Sequence, residues 1–111
     1  MQVNVQNALV SDALREHVRR RMDVASDGFY EQVEQITVDL YYAEDVQGAY
    51  DKVCRLCIEL RPVGFFEVTS TNMHFASAVD SAARKLRLRL AEELRPCNAE
   101  LHDVTRSGAQ A

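Results

Sequence analysis

Polar and apolar residues alternate at the start of the chain: Val3, Val5 and Leu9 take odd positions, with Gln2, Asn4 and Gln6 between them. A period of two is that of a strand with one buried face, so a first strand is predicted over 2–9. Ser11 then offers a side-chain oxygen to the free amides of a helix start, and Asp12 suits the positive end of the helix dipole. Leu14, Val18, Met22 and Ala25 follow at four- and three-residue steps, an apolar stripe on one side of a helix, and Gly28 is placed to close it. Period two returns over 35–42, with Ile36, Val38, Leu40 and Tyr42 expected inward and Thr37, Asp39 and Tyr41 outward. The polar stretch 43–48 reads as a hairpin loop, after which Cys54, Leu56, Ile58 and Leu60 alternate with Arg55, Cys57, Glu59 and Arg61. Pro62, Val63 and Gly64 predict a tight turn before a short strand over 65–70. Thr71 and Asn72 are the expected caps of a final helix that Pro96 would terminate. Phe75, Val79, Ala82, Ala83, Leu86, Leu90 and Leu94 form its apolar arc.

The order β-α-β-β-β-α predicts an α+β fold, a four-stranded sheet with two helices packed on one face. The other face would be open to water. The chain has 111 residues, 47% of them hydrophobic, enough for one core and too few for two domains. The expected organisation is a single domain over 1–96 and a flexible tail over 97–111. No stretch approaches the roughly 20 apolar residues of a membrane span, and residues 1–9 lack the basic start and apolar run of a signal peptide. No membrane partner is expected, and a cytoplasmic location is. Cys54, Cys57 and Cys97 are odd in number and too sparse for a disulfide scaffold, which favours reduced thiols.

The net charge of −4 argues against coating nucleic acid by bulk charge. Its distribution changes that picture. Of thirteen Lys and Arg residues, Arg15, Arg19, Arg20, Arg21, Arg84, Lys85, Arg87, Arg89 and Arg95 fall on the two predicted helices. A charged outer face is ordinary for any amphipathic helix, and Glu16, Asp23, Glu92 and Glu93 are spaced to pair locally. The preference for arginine over lysine points further, because guanidinium groups suit bidentate phosphate contacts and stacking on bases.

The segment Val10-Ser11-Asp12-Ala13-Leu14-Arg15-Glu16-His17-Val18 resembles the first-helix opening of the short ribosome hibernation factors, also called ribosome-associated inhibitor or sigma-54 modulation proteins. Ala78-Val79-Asp80, Lys85-Leu86 and Leu90 resemble their last helix, and Pro62 and Gly64 fall at the family's Pro-Gly turn. The resemblance spans about residues 1–95 and is to a divergent short form, without the long form's dimerising domain. It implies a factor that binds the small ribosomal subunit through 16S ribosomal RNA, in the channel of messenger and transfer RNA, and holds ribosomes idle under stress. The contacts implied are those of basic residues on both helices. His74, Phe75 and Ala76 depart from the family's acidic residue, Met and Tyr, and Glu92-Glu93-Leu94-Arg95-Pro96 replaces its lysine-rich run.

Other chemistry finds little support. Cys54 and Cys57 have the spacing of a metal or redox pair, but residues three apart on a strand face opposite sides. No metal site or cofactor is expected. His17, His74 and His102 stand in separate segments without a catalytic partner that spacing identifies, and Gly28, Gly48, Gly64 and Gly108 form no phosphate loop. An enzyme and a small-molecule substrate are therefore not expected. An RNA-recognition domain also has four strands and two helices, but here Tyr41 would share the open sheet face with Asp39, Glu59 and Glu67, which repel phosphate. The expected RNA-binding residues are Arg84, Lys85, Arg87 and Arg89, supported by Arg15, Arg19 and Arg20. The alternative is a protein-interaction module on the same fold, with outward Leu88 docking a partner or a second copy as a homodimer.

Overall fold

The computed structural model describes residues 1–6, 10–44, 47–48 and 50–94. Expectations for Leu9, Arg95, Pro96, Cys97, His102, Gly108 and the tail lie outside them. The elements are β1 (Gln2–Gln6), α1 (Asp12–Ala25), β2 (Val33–Glu44), β3 (Tyr50–Leu60), β4 (Phe65–Asn72) and α2 (Phe75–Glu93), the predicted β-α-β-β-β-α order. The sheet order is β1-β2-β3-β4, with β1 parallel to β2 across the α1 connection and the other pairs antiparallel.

Alternation decides which side of the sheet is covered. Ile36, Val38, Leu40, Cys54, Leu56, Ile58, Phe66 and Val68 point to one side and are buried there. Val18, Met22 and Ala25 of α1 and Ala78, Val79, Ala82, Ala83, Leu86 and Leu90 of α2 meet them in one continuous core. Both helices therefore lie on the same face. They run side by side in the same direction, because His17 meets Asp80 near their starts and Arg87 meets the Ala25 carbonyl near the end of α1.

Ser11 caps α1 as its position predicts, its Oγ accepting from the Leu14 N–H at 3.1 Å. The helix ends at Ala25, three residues before Gly28, where the four-residue step gives way to three-residue ones: the Asp27 N–H bonds to the Val24 carbonyl at 3.3 Å and the Phe29 N–H to that of Ser26 at 2.8 Å. Gly28 serves the turn that follows, at φ +90°. At α2 the expected caps are corrected. Thr71 and Asn72 still belong to β4, and the helix opens from His74 with no side-chain cap. Asn72 Oδ1 instead accepts from the Met73 N–H at 2.7 Å, within the strand-to-helix turn. Lacking a capping side chain, an acidic first turn and a basic last turn, α2 is held by its buried face.

Tyr42 is a second correction. It has the parity of the inward residues but is 55% exposed, because β2 runs past the start of α2 and the ring stands edge-on to Phe75, centroids 5.4 Å apart. The cysteines follow the strand rule. Cys54 is fully buried, and desolvation pushes its thiol up to about 12, whereas Cys57 is half-exposed on the open face, its Sγ 3.5 Å from Glu67 Oε2.

Two outcomes test this packing. Leu86→Ala removes a fully buried side chain and should lower stability by about 2–5 kcal/mol in urea unfolding, while Leu88→Ala, at 65% exposure, should shift it by less than about 0.5 kcal/mol. With Cys97 replaced by Ser, a thiol reagent should modify Cys57 in the native protein and Cys54 only after unfolding.

Candidate nucleic-acid interface

The helix layer carries eight Lys and Arg against six Asp and Glu within the bounds of α1 and α2. Because the apolar stripes of both helices face the sheet, these charges lie on the outer surface or along its margins. Arg84 and Arg19 are exposed and Arg15 is half-exposed, and none of the three guanidinium groups has an ion-pair or hydrogen-bond partner among the described residues. Arg20 stands 3.8 Å from Glu16, both side chains 64% exposed, a pairing too solvated to hold the guanidinium.

The α2 cations that one helix face would group together separate into two grooves. Arg84 and Arg87 turn toward α1 and, with Arg21, Val24, Ala25 and Asp27, line a groove between the helices. Lys85 and Arg89 turn the other way, toward β4, and flank Leu88 in a second groove. The division follows from the helical period, since 84 and 87 share one side of the apolar arc and 85 and 89 the other.

Each groove ties its cations down differently. Arg87 donates from Nη1 to the Asp27 carbonyl and, at 3.4 Å, to that of Ala25, and its guanidinium lies 5.2 Å from the Phe29 ring centroid. It supplies the donors and positive charge that the C-terminus of α1 lacks in its own last turn. Arg89 sits 4.5 Å from the Phe66 ring centroid and pairs with Glu93 at 3.2 Å. Lys85 donates from Nζ to the Thr69 carbonyl at 2.8 Å. Arg84 alone among the α2 candidates leaves its guanidinium without an intramolecular partner among the described residues.

Between the helices, Asp80 Oδ1 is hydrogen-bonded to His17 Nε2 at 2.8 Å and lies 3.2 Å from Arg21 Nε, an ion pair without hydrogen-bond alignment. Three half-buried polar groups thus join α1 to α2 and fix the floor on which the arginine groove stands. His17 and Asp80 belong to the two segments whose resemblance to a family is strongest, and here they touch each other. The helical period of α1 sets Arg21 at the border of the core and goes no further. Its place at the groove depends on which residues of α2 come alongside, a matter that spacing within α1 does not reveal.

The opposite face of the sheet has another chemistry. The pairing register brings Asp39, Arg55 and Thr69 into one row and Thr37, Cys57 and Glu67 into the next. Arg55 pairs with Glu67 at 2.6 Å, and its hydrogen bond, with that of Cys57, holds the Glu67 carboxyl below its usual range. Gln35 donates to Glu59 at 3.1 Å. Among the described strand residues the carboxylates of Asp39, Asp51, Glu59 and Glu67 share this side with Arg55, which leaves it with an excess of negative charge. Among the described residues no cluster of three or more His, Cys, Asp or Glu is placed to hold a metal ion, and no helix is long and apolar enough to cross a membrane.

The chain matches no protein-family model and no curated protein. Among solved structures it is similar to a ribosomal subunit interface protein from Coxiella burnetii, with a TM-score of 0.69 at 16% identity, covering 83% of this chain and 96% of the other. It is also similar to the N-terminal domain of Thermus thermophilus protein Y, with a TM-score of 0.61 at 19% identity, covering 80% of this chain and 91% of that one. Both match the family that the sequence resembles. The fold of this chain is the fold of these two proteins.

Proposed function

We propose that this protein is a ribosome-binding factor of the hibernation type, which docks its helix layer on 16S ribosomal RNA of the small subunit. In the channel used by messenger and transfer RNA it would block decoding sterically. The observation that carries this reading is a set of arginines with no internal partner among the described residues, Arg15, Arg19 and Arg84, on the helix layer of a fold shared with a ribosomal subunit interface protein. An unpaired guanidinium on a folded surface is available for bidentate phosphate contact without first breaking an ion pair. The arginine groove between the helices adds Arg21 and the outer edge of Arg87 to the same side. The reading needs no bond made or broken, and it makes the protein a binding factor rather than an enzyme. It also accords with a place in the cytoplasm, where ribosomes work.

Within this reading the candidates divide by role. Arg84, Arg19 and Arg15 serve RNA binding alone. Arg87 both faces the groove and holds the end of α1, so its loss affects stability as well as binding. Lys85 and Arg89 lie on the far side of α2 and contribute only if RNA also wraps that edge.

Co-sedimentation with small ribosomal subunits over a salt series is the direct test. Binding should weaken as salt rises, and Arg19→Ala with Arg84→Ala should flatten the logarithmic salt dependence by roughly 0.7–0.9 for each phosphate no longer neutralised. Binding that is undiminished when both residues are reversed to Glu would exclude this surface. The division of roles has its own measurement. In urea unfolding Arg87→Ala should lower stability by about 1–3 kcal/mol through the carbonyls it leaves without a donor, whereas Arg84→Ala should change it by less than about 0.5 kcal/mol.

A further inference from the structure

β4 is the outermost strand of the sheet beside α2, and its second edge has no strand against it among the described residues. The register shows which main-chain groups that edge presents. Leu60 N–H donates to the Gly64 carbonyl at 2.8 Å, which makes 60 and 64 a hydrogen-bonding position of the ladder, and by its alternation Phe66 and Val68 turn their main-chain groups toward Ile58 and Leu56. Phe65, Glu67, Thr69 and Thr71 consequently turn their N–H and C=O groups outward. The hydrogen bond from Lys85 to the Thr69 carbonyl confirms this parity, since a side chain outside the sheet reaches that oxygen. A lysine held over an edge strand is a guard against uncontrolled pairing.

The groove above this edge is lined by Glu67, Val68 and Thr69 from the strand and by Lys85, Leu88, Arg89 and Glu92 from the helix, with Arg89 held by Glu93 and the Phe66 ring. Lys85, Leu88 and Glu92 follow one another at steps of three and four, a single stripe along α2. The stripe reads cation, leucine, carboxylate. Turned end for end it reads carboxylate, leucine, cation. A second copy laid antiparallel about a twofold axis at Leu88 therefore sets Lys85 against Glu92, Leu88 against Leu88 and Glu92 against Lys85. Glu92 has no ion-pair partner among the described residues, and Leu88 is 65% exposed.

The strand below has the same symmetry. With Val68 opposite its own counterpart, Thr69 falls opposite Glu67 and Phe65 opposite Thr71, so no like charges are opposed and the outward main-chain groups meet in register. We propose that this face is an isologous docking site for a second copy of the chain, joining β4 to β4 in one eight-stranded sheet with the two α2 stripes antiparallel above it. On association Lys85 exchanges the Thr69 carbonyl for Glu92 of the other copy, and the Thr69 carbonyl accepts a main-chain N–H instead. The occupant is set by this self-complementarity, since an unrelated strand has no reason to carry the reversed stripe above it. The proposal stands apart from ribosome binding.

Sedimentation equilibrium of the full chain from micromolar to millimolar concentration tests it. A monomer–dimer equilibrium is expected. Lys85→Glu and Glu92→Lys should each weaken it by roughly tenfold, about 1.4 kcal/mol, and Leu88→Asp should abolish it. Lys85→Glu combined with Glu92→Lys should restore the parental dissociation constant, because the reversed charges again meet opposite signs. All these residues are exposed, and an unchanged urea midpoint for each variant shows that the fold is intact. A chain that stays monomeric at all concentrations, or a dimer that neither single reversal weakens, overturns the proposal. A double variant no better than the singles does so as well.

Discussion

The four strands share one apolar side, and everything else in the molecule is arranged around the need to keep that side from water. Ile36, Val38, Leu40, Leu56 and Ile58 are each fully buried, and burial of a side chain of this size contributes roughly 1.5–3 kcal/mol. The cover comes from two helices whose apolar stripes are matched to the sheet, and α2 in particular has no cap to sustain it alone. The outer surface of the helix layer is thus a by-product of covering the sheet. Its arginines are presented on a rigid support because their helices have no other stable place.

That support constrains which arginines are free. A guanidinium near the end of a neighbouring helix is drawn to its exposed carbonyls, as Arg87 is to those of Ala25 and Asp27. One beside an aromatic ring stacks on it, as Arg89 does on Phe66. Arg84 stands on the same helix with neither at hand, and Arg19 has the same freedom on α1. Equal positions on a helical wheel therefore conceal unequal duties. Positive charge in the helix layer divides between holding α1 against α2 and facing outward, and only the second is available to a ligand.

Much of the fold is legible in the chain because its signals are local. Period-two runs at Ile36–Val38–Leu40 and Leu56–Ile58 give strands and their inner face, and Ser11 marks the start of α1 through its own hydroxyl. What escapes is decided by neighbours distant in sequence. Tyr42 keeps the inward parity but stands at the very start of α2, where Phe75 meets its ring edge-on and leaves it more than half exposed, so alternation alone misplaces it. Thr71 and Asn72 have the chemistry of caps, yet pairing with β3 keeps them in the strand. The helical period separates Arg84 and Arg87 from Lys85 and Arg89, but it does not tell that the first pair meets α1 and the second β4. Asp80 meets His17 and Arg21 only after the helices pack, and the Thr69 carbonyl reached by Lys85 belongs to another element altogether. A fold shared with a ribosomal subunit interface protein and with the N-terminal domain of protein Y agrees with the fold implied by the resemblance of the Ser11 and Asp80 segments, although no single motif encodes it.

The balance of charge differs between the two sides of the domain: carboxylates prevail beneath the sheet, where Asp39, Glu59 and Glu67 stand, and cations outnumber carboxylates by eight to six in the helix layer that carries Arg19 and Arg84. Between them lie the sheet and a layer of helices about 10 Å across. The screening length at physiological ionic strength is about 8 Å. An anion approaching the helices in the cell therefore feels the cations in front of it, while the carboxylates behind are largely hidden by mobile ions. In dilute buffer the same carboxylates come back into view. The formal charge of −4 thus describes the molecule as a distant observer in low salt would meet it, and it says little about the field at either surface.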